Sequence, residues 1–149
     1  MAKNLIIGGF TNYGINQLKP WVLSAKEVAD ENTDVVLVYG NTDKQTIEWL
    51  ESQNVILFPM QQVQGIPVHV LRFLSIYEYL RHNWSKYRYV VTTDVKDVVF
   101  QSDPIKWLEN NIGDKQINVA CESIRYEDEN WGNNNLLKSF GPVIHEHNK

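Results

Sequence analysis

Short apolar runs alternate with amphipathic stretches along most of the chain. Continuous runs rich in Val and Ile, such as residues 35–39, are typical of strands buried on both faces of a sheet. The stretches between them carry apolar residues at helical spacing, as in residues 17–29. This alternation is typical of β-α-β units. It predicts an α/β fold in which helices flank an open, mostly parallel, Rossmann-like sheet.

The boundaries of the elements follow from the apolar runs and from capping residues. Asp103 precedes Pro104, the order expected where an acceptor caps a helix and proline takes its first position. The predicted strands are residues 5–8, 35–39, 55–58, 87–92 and 117–120. The predicted helices are residues 17–29, a segment capped by Thr42 or Asp43, residues 68–83, a segment starting at Pro104, and a last segment from residue 133. The apolar side of the helix at 68–83 is predicted to consist of Val70, Leu71, Leu74, Ile76, Tyr77 and Leu80. With no repeat or linker, residues 1–149 read as a single domain.

Composition narrows the classes of function. Hydrophobic residues make up 43% of the chain and charged residues 21%, as in soluble globular domains. The net charge is −4 and no basic cluster stands out, so nucleic acid is not an expected partner. Cys121 is the single cysteine, which excludes an intramolecular disulfide. No apolar stretch approaches the length of a membrane segment, and we expect a cytoplasmic protein.

The richest candidate chemistry follows the predicted strand at residues 87–92. Ligands of open α/β sheets bind beyond the carboxyl ends of the strands, and Thr93, Asp94 and Val95 lie at such an end. Asp97 follows three positions after Asp94, a spacing that can bring both carboxylates to one side of a tight turn. Two hard oxygen ligands suit Mg²⁺ or Mn²⁺ that also binds substrate phosphates. The alternative is that both residues cap a turn.

Residues 89–104 resemble a segment of GT-A-fold glycosyltransferases, including those encoded by large algal DNA viruses. Residues 122–126 and 129–136 are similar to the same group. The resemblance implies a metal-dependent transferase that uses Mn²⁺ or Mg²⁺ to move a sugar from a nucleotide-diphosphate sugar, of the UDP type, to a glycan or other hydroxyl acceptor. For a viral protein the expected location is the host cytoplasm. The family usually shows Asp-x-Asp, whereas this chain has Asp-x-x-Asp, which leaves open which carboxylate binds the metal; Asp94 is preferred because it ends a strand.

The resemblance also assigns roles to other positions. Phe10, Thr11, Asn12 and Tyr13 would receive the nucleotide base, with an ordinary β-α turn and a core aromatic as the alternative. Arg72 would bind the diphosphate, with a surface arginine as the alternative. The whole expected donor-binding set is Phe10, Thr11, Asn12, Arg72, Thr93, Asp94, Val95 and Trp131.

A polar loop after residue 120 resembles the part of the family that faces donor sugar and acceptor. Trp131 would stack on a sugar, and Asp128 or Glu129 would act as the catalytic base. The same loop contains Glu122, Arg125 and Asn130. Cys121 fits a small buried hydrophobe better than a nucleophile, and the histidines at 145 and 147 fit a frayed tail better than a metal clip.

Other nucleotide sites fit the residues less well. The glycines of residues 8–14 do not form the dinucleotide fingerprint or a P-loop, and the absence of a basic residue there disfavours a nucleotidyltransferase. The chain is short for a GT-A enzyme and ends soon after the expected donor loop, which fits a fragment truncated on the acceptor side, a minimal enzyme or a nucleotide-sugar-binding remnant. The alternative function is therefore a non-catalytic nucleotide-sugar-binding module or fragment.

Overall fold

The computed structural model describes residues 2–61, 63, 65–120 and 125–148. Its strands are β1 (Lys3–Phe10), β2 (Thr33–Tyr39), β3 (Ile56–Pro59) and β4 (Tyr87–Thr93). Its helices are α1 (Ile15–Val28), α2 (Lys44–Ser52), α3 (Val68–Asn83), α4 (Pro104–Asn111) and α5 (Asn130–Asn148). Short 3₁₀ segments occupy Trp84–Lys86 and Tyr126–Asp128. Contacts divide the chain into two compact units, Met1–Gly113 and Asp114–Lys149.

The first unit contains the sheet, whose strands follow the order β3-β2-β1-β4. All three strand pairs are parallel, and Ile6 of β1 lies opposite Val35 of β2 and Val91 of β4. This arrangement confirms the predicted α/β fold with a parallel sheet. The predicted helix starting at Pro104 is also confirmed, since Asp103 accepts hydrogen bonds from two backbone amides of its first turn.

Alternating residues of β1 and β2 fill two separate hydrophobic clusters, one on each face of the sheet. On one face Ile6 and Leu37 pack with Trp21 of α1 and Leu50 of α2. On the other face Leu5, Ile7, Val36 and Val38 pack with Ile76 and Tyr79 of α3. Both inner strands are therefore covered on both sides, which explains their continuous apolar sequences.

The connections place a topological switch point at β1. From β1 the chain moves outward through α1 to β2 and through α2 to β3, and then α3 carries it back across the sheet to β4. The helices α1 and α2 lie on one face of the sheet and α3 lies on the other. The connections that leave β1 and enter β4 therefore run on opposite faces, and a crevice forms between them beyond the carboxyl ends of these two strands. Ligands of open α/β sheets bind at such crevices.

Two predictions about elements were wrong. Residues 117–120 form no strand, and Ile117 and Val119 are 77% and 72% exposed. Their alternating β-branched sequence favours extended backbone, but a strand also needs a hydrogen-bonded partner. On α3 the predicted apolar side is only partly buried, because Ser75 and Tyr79 take positions in the interior. Val70, Leu74 and Tyr77 of the predicted side are 43%, 44% and 60% exposed.

The second unit is dominated by α5, which begins at Asn130, three residues before the predicted start. Its path breaks at Gly141, where φ is 76° and Pro142 follows. Glycine suits this left-handed backbone because it has no Cβ. Across the described ranges, every helix is too short or too polar to span a bilayer.

Candidate functional site

The carboxyl end of β4 is anchored by Val95, whose side chain enters the hydrophobic core. This side chain is only 2% exposed, and a Cβ added to Gly8 of β1 would lie 2.3 Å from its Cγ1 atom. The glycine on β1 therefore makes room for Val95 to enter the core. With Val95 anchored, Asp94 is held just outside the sheet, where its side chain is 56% exposed. Val95 thus positions its neighbour and offers no side-chain atoms to a ligand.

A buried tryptophan fixes the same end of β4 from the face of α1. The indole Nε1 of Trp21 donates a hydrogen bond of 2.8 Å to Oγ1 of Thr93. Trp21 has no exposed surface, so the hydroxyl is attached to a rigid part of the core. The residue directly before Asp94 therefore has little freedom to move.

Arg72 reaches Asp94 from α3 on the opposite face. A Cβ added to Gly9 would lie 3.0 Å from Cβ of Arg72 and 2.7 Å from Cγ2 of Val38, so Gly9 lets the helix approach β1 closely. The Nη1 atom of Arg72 donates to Oδ1 of Asp94 and forms an ion pair with it. The guanidinium carbon also lies 4.8 Å from the ring centroid of Phe73. Arg72 and Asp94, 22 positions apart in sequence, are thus brought together at the switch point.

The two charged groups line a cavity of about 200 Å³ at the carboxyl edge. Its lining consists of Arg72, Phe73, Ile76, Thr92, Thr93 and Asp94. A guanidinium suits phosphate oxygens, whereas a carboxylate suits a metal ion or a sugar hydroxyl. The cavity therefore offers partners of both signs to a ligand that carries a diphosphate.

The residues present fit a divalent cation that is completed by its substrate. Asp94 accepts from Arg72 through Oδ1, which leaves its second oxygen for another partner, and Asp97 lies three positions on with an exposed side chain. No group of three or more His, Cys, Asp or Glu side chains suited to a metal is assembled among the described residues. Mg²⁺ and Mn²⁺ commonly bind through one or two carboxylates plus water and phosphate, so Asp94, with or without Asp97, is chemically compatible with such a cation.

The loops after β1 and β2 are joined by hydrogen bonds. The Asn12 amide donates to the Asn41 carbonyl at 2.6 Å, and the Asn41 amide donates to Oγ1 of Thr11 at 3.1 Å. Between the side chains, Nδ2 of Asn41 donates to Oδ1 of Asn12 at 2.8 Å. Asn12 has φ of 57°, in the left-handed region that asparagine tolerates better than most residues. The predicted polar loop is therefore a fixed surface and not a free turn.

Next to this loop lies a second, open cavity of about 400 Å³. It is lined by Asn12, Tyr13, Gly14, Asn41, Thr42 and Asp43. Phe10 takes no part, because it is 2% exposed and its ring lies in the core, 6.5 Å from the rings of Tyr13 and Tyr39. Of the two aromatic residues predicted at the base, Phe10 is thus a core residue, which was the alternative interpretation. Tyr13 supplies the aromatic surface at the cavity.

Sequence reasoning missed Asn41 and Gly9. The sequence analysis predicts no ligand-binding role for Asn41, although this residue follows the strand that neighbours β1 in a parallel sheet. Loops at the carboxyl ends of adjacent parallel strands meet, so its position was a usable signal. For Gly9 no such signal existed, since the need for a missing side chain appears only when α3 lies against β1.

In the second unit the predicted catalytic carboxylates have local partners. Asp128 accepts a hydrogen bond of 3.2 Å from Nε of Arg125. Both carboxylate oxygens of Glu129 accept from the backbone amides of Trp131 and Gly132, so Glu129 caps the start of α5. Trp131 is 76% exposed and its ring is available to a ligand. Cys121 and Glu122 lie outside the described residues.

His145 is not part of a frayed tail. Its side chain is 13% exposed, and Nε2 is hydrogen-bonded to Oδ1 of Asn133. The contact joins the parts of α5 before and after Gly141, so the histidine has a structural role in this unit.

Comparison with known proteins supports the fold class. The sequence matches no protein-family model and no curated protein. Among solved structures, the chain is similar to S. aureus TarS, a glycosyltransferase, with a TM-score of 0.51 and 16% sequence identity. The match covers 72% of this chain and 20% of the TarS chain, so the chain corresponds to about a fifth of that protein. The likeness shows the fold alone, an α/β fold with a parallel sheet.

Proposed function

We propose that this chain is the donor-binding part of a metal-dependent glycosyltransferase that uses a nucleotide-diphosphate sugar. The observation that carries the proposal is the Arg72–Asp94 pair at the switch point between β1 and β4. Ligands of open α/β sheets bind at this edge, and the structural likeness to a glycosyltransferase supports a sugar donor as the ligand. Asp94 at a strand end and Arg72 on the facing helix supply the two charges that a metal-bound diphosphate requires.

The diphosphate is proposed to bind in the cavity that Arg72, Thr93 and Asp94 line. Arg72 donates hydrogen bonds to phosphate oxygens, and its planar fork favours two parallel bonds. A divalent cation held by Asp94 and Asp97 would offset the negative charge of the departing diphosphate. Val95 and Trp21 keep the backbone of Asp94 in place, so the carboxylate needs little movement on binding.

The nucleobase is proposed to bind at the second cavity, beside Asn12, Tyr13 and Asn41. The side-chain hydrogen bond between the two asparagines leaves Oδ1 of Asn41 as an acceptor and Nδ2 of Asn12 as a donor. Uracil presents the complementary pair, an N–H beside a carbonyl. Tyr13 offers a ring for stacking, so a uridine nucleotide fits this surface.

Transfer would proceed by attack of an acceptor hydroxyl on the donor sugar, with the nucleoside diphosphate leaving. Asp128 is the preferred base, because among the described residues its carboxylate has only the Arg125 side chain as a partner and its side chain is 54% exposed. Glu129 is a weaker candidate, since both of its oxygens already accept backbone hydrogen bonds. Trp131, with its exposed ring, is proposed to stack on a sugar.

Calorimetric titration of the chain with UDP, UDP-glucose and GDP, each with and without Mn²⁺, tests the ligand class. We expect both uridine ligands to bind only when Mn²⁺ is present and GDP to bind more weakly. If none of the three binds under either condition, the donor site does not exist as proposed.

The alternative, a module that binds nucleotide sugars without transferring them, has one observation in its favour. Both candidate bases are engaged in local contacts that a purely structural turn would also make. Release of UDP from UDP-glucose, followed over hours in the presence of Mn²⁺ and candidate glycan acceptors, separates the two functions. Donor binding without UDP release supports the binding module.

A further inference from the structure

The Arg72–Asp94 ion pair joins two residues that the donor complex would need for different partners. Asp94 is the proposed metal ligand, and Arg72 is proposed to donate hydrogen bonds to the diphosphate. In the ligand-free protein, however, the guanidinium of Arg72 is bonded to the carboxylate of Asp94. A cation and a guanidinium compete for the same negative charge. The ligand-free protein therefore holds Asp94 in a state that opposes metal binding.

We infer that Arg72 is a built-in counter-ion that neutralises Asp94 in the ligand-free protein and moves to the donor diphosphate when a divalent cation takes its place. This inference rests on the proposed function. It assigns to Arg72 the coupling between metal and nucleotide, in addition to phosphate binding. The Arg72 side chain then has two positions, one paired with Asp94 and one bound to the diphosphate.

The paired position is incompletely satisfied, which favours a second position. The Nε atom of Arg72 is buried and has no hydrogen-bond partner among the described residues. A buried donor without a partner lowers the stability of the folded state. The guanidinium has five N–H donors, so more of them could be satisfied in a different position. Diphosphate oxygens in the adjoining cavity would accept from the fork once it turned away from the carboxylate.

The surroundings allow the guanidinium to turn while its stem stays in place. Cβ of Arg72 lies against Gly9, and the helix that carries it packs on the sheet. The side chain as a whole is 27% exposed and the Asp94 side chain 56%, so solvent and ions reach the pair from the cavity. Phe73, whose ring lies 4.8 Å from the guanidinium carbon, gives the cation an apolar surface in this position.

The exchange makes metal and nucleotide help each other. A cation that binds Asp94 releases Arg72 for phosphate, and a diphosphate that attracts Arg72 frees Asp94 for the cation. Such coupling is reciprocal by thermodynamic necessity, so each ligand must raise the affinity for the other by the same factor. Removal of Arg72 should reduce this factor, because the competitor on Asp94 is then gone.

The test measures Mn²⁺ affinity in the absence and presence of UDP for the wild type and Arg72→Met. Methionine keeps the stem against Gly9 and removes the charge. We expect Mn²⁺ alone to bind the variant roughly 3- to 10-fold more tightly. We expect UDP with saturating Mn²⁺ to bind it about tenfold or more weakly, because the charged donors are lost.

Two further variants serve as controls. Arg81→Met removes another cation of α3, which pairs with Glu78 at 3.3 Å, and should change neither affinity. Arg72→Lys keeps the charge and should leave the affinity for Mn²⁺ alone at the wild-type value. Circular dichroism verifies that each variant is folded.

The outcomes separate this inference from the proposed function. Equal Mn²⁺ affinity in wild type and Arg72→Met, with Mn²⁺-dependent UDP binding by the wild type, overturns the exchange and leaves the donor site standing. If Mn²⁺ in the absence of UDP binds to Arg72→Met but not to the wild type, the exchange is supported. Binding of Mn²⁺ by neither protein, with or without UDP, overturns both.

Discussion

Trp21 of α1 and Thr93 of β4 are joined by a hydrogen bond of 2.8 Å, and Asp94 is the next residue along the chain. The bond connects the core on one face of the sheet to the point where the candidate site begins. A long, rigid side chain thus determines where β4 ends. The proposed donor site depends on this anchoring, because a carboxylate that ligates metal must be held in position.

The first prediction concerns that hydrogen bond. Thr93→Val keeps the volume of the side chain but leaves the buried Trp21 indole without its acceptor. We expect the free energy of unfolding to fall by about 1–3 kcal/mol, the usual cost of an unsatisfied buried donor. Urea unfolding followed by tryptophan fluorescence measures the change. Thr92→Val, at an exposed position of the same strand, is the control, and an equal loss in both variants would show that the hydrogen bond is not the cause.

The second prediction concerns the close approach of α3 to β1. Gly9→Ala adds a Cβ atom 2.7 Å from Val38 and 3.0 Å from Arg72, so the helix must move outward. We expect a loss of about 1–3 kcal/mol in stability, as for overpacked cores, together with weaker donor binding. Gly14→Ser is the control for stability alone, because a Cβ at Gly14 meets nothing within 4 Å but the residue lines the proposed nucleobase cavity. Unchanged donor affinity in a folded Gly9→Ala protein would show that the position of Arg72 does not matter.

The third prediction concerns alkaline stability. Lys3 lies 2.6 Å from Asp34, and the Tyr87 hydroxyl donates to the same carboxylate at 2.9 Å and lies 2.8 Å from the Tyr79 hydroxyl. Burial raises the pKa of Tyr87, with hydrogen bonds to Tyr79 and Asp34 as further causes, and burial also raises the pKa of Tyr79. The hydrogen bond to Asp34 raises the pKa of Lys3.

The raised pKa values of Tyr79, Tyr87 and Lys3 in the folded state mean that these groups stabilise the fold at neutral pH and that this stabilisation is lost at alkaline pH. The stabilisation is complete below the ordinary tyrosine pKa of about 10 and is lost as the pH rises above it. Tyr87→Phe should lower the free energy of unfolding by about 1 kcal/mol at neutral pH and make the loss above about pH 10 shallower. Urea midpoints measured from neutral to alkaline pH check this. A parallel curve for wild type and variant would contradict the assignment, and Tyr77→Phe, at an exposed tyrosine, provides the comparison.

The fourth prediction separates the two candidate bases. Glu129→Gln keeps an oxygen for one of the two amides at the start of α5, so we expect slightly lower stability and turnover within about tenfold of wild type. Asp128→Asn should lower turnover by roughly 10²- to 10⁴-fold, as for loss of a general base. Initial rates of UDP release with saturating donor and acceptor measure both. The reverse ranking would move the role of base to Glu129.

The parallel sheet could be predicted from the sequence, because strands buried on both faces need continuous apolar runs, as in β2. Amphipathic helical stretches between these runs supplied the second signal. Prediction from the sequence failed for residues 117–120, where β propensity was present but no partner strand was implied. It placed Asp94 correctly at a strand end, since that position is local. The pairing of Asp94 with Arg72 depends on how closely α3 approaches Gly9, and no pattern in the chain encodes that distance.

The burial of Phe10 shows the same limit. Its position after an apolar run is compatible with either a ligand-facing loop or the last inward residue of a strand. The structure extends β1 through Phe10, and alternation along the strand then directs the ring to the face of α1. Two residues of strand length, Gly9 and Phe10, therefore decide between a base-stacking ring and a core residue.

The most direct test of the account is calorimetric titration of UDP-glucose in the presence of Mn²⁺ into the wild type, Asp94→Asn and Asp114→Asn. Asp114 is an exposed carboxylate that pairs with Lys115, so its variant controls for the loss of one negative charge. We predict Mn²⁺-dependent binding by the wild type and Asp114→Asn and its loss in a folded Asp94→Asn protein. Equal affinity in all three proteins would contradict a donor site centred on Asp94.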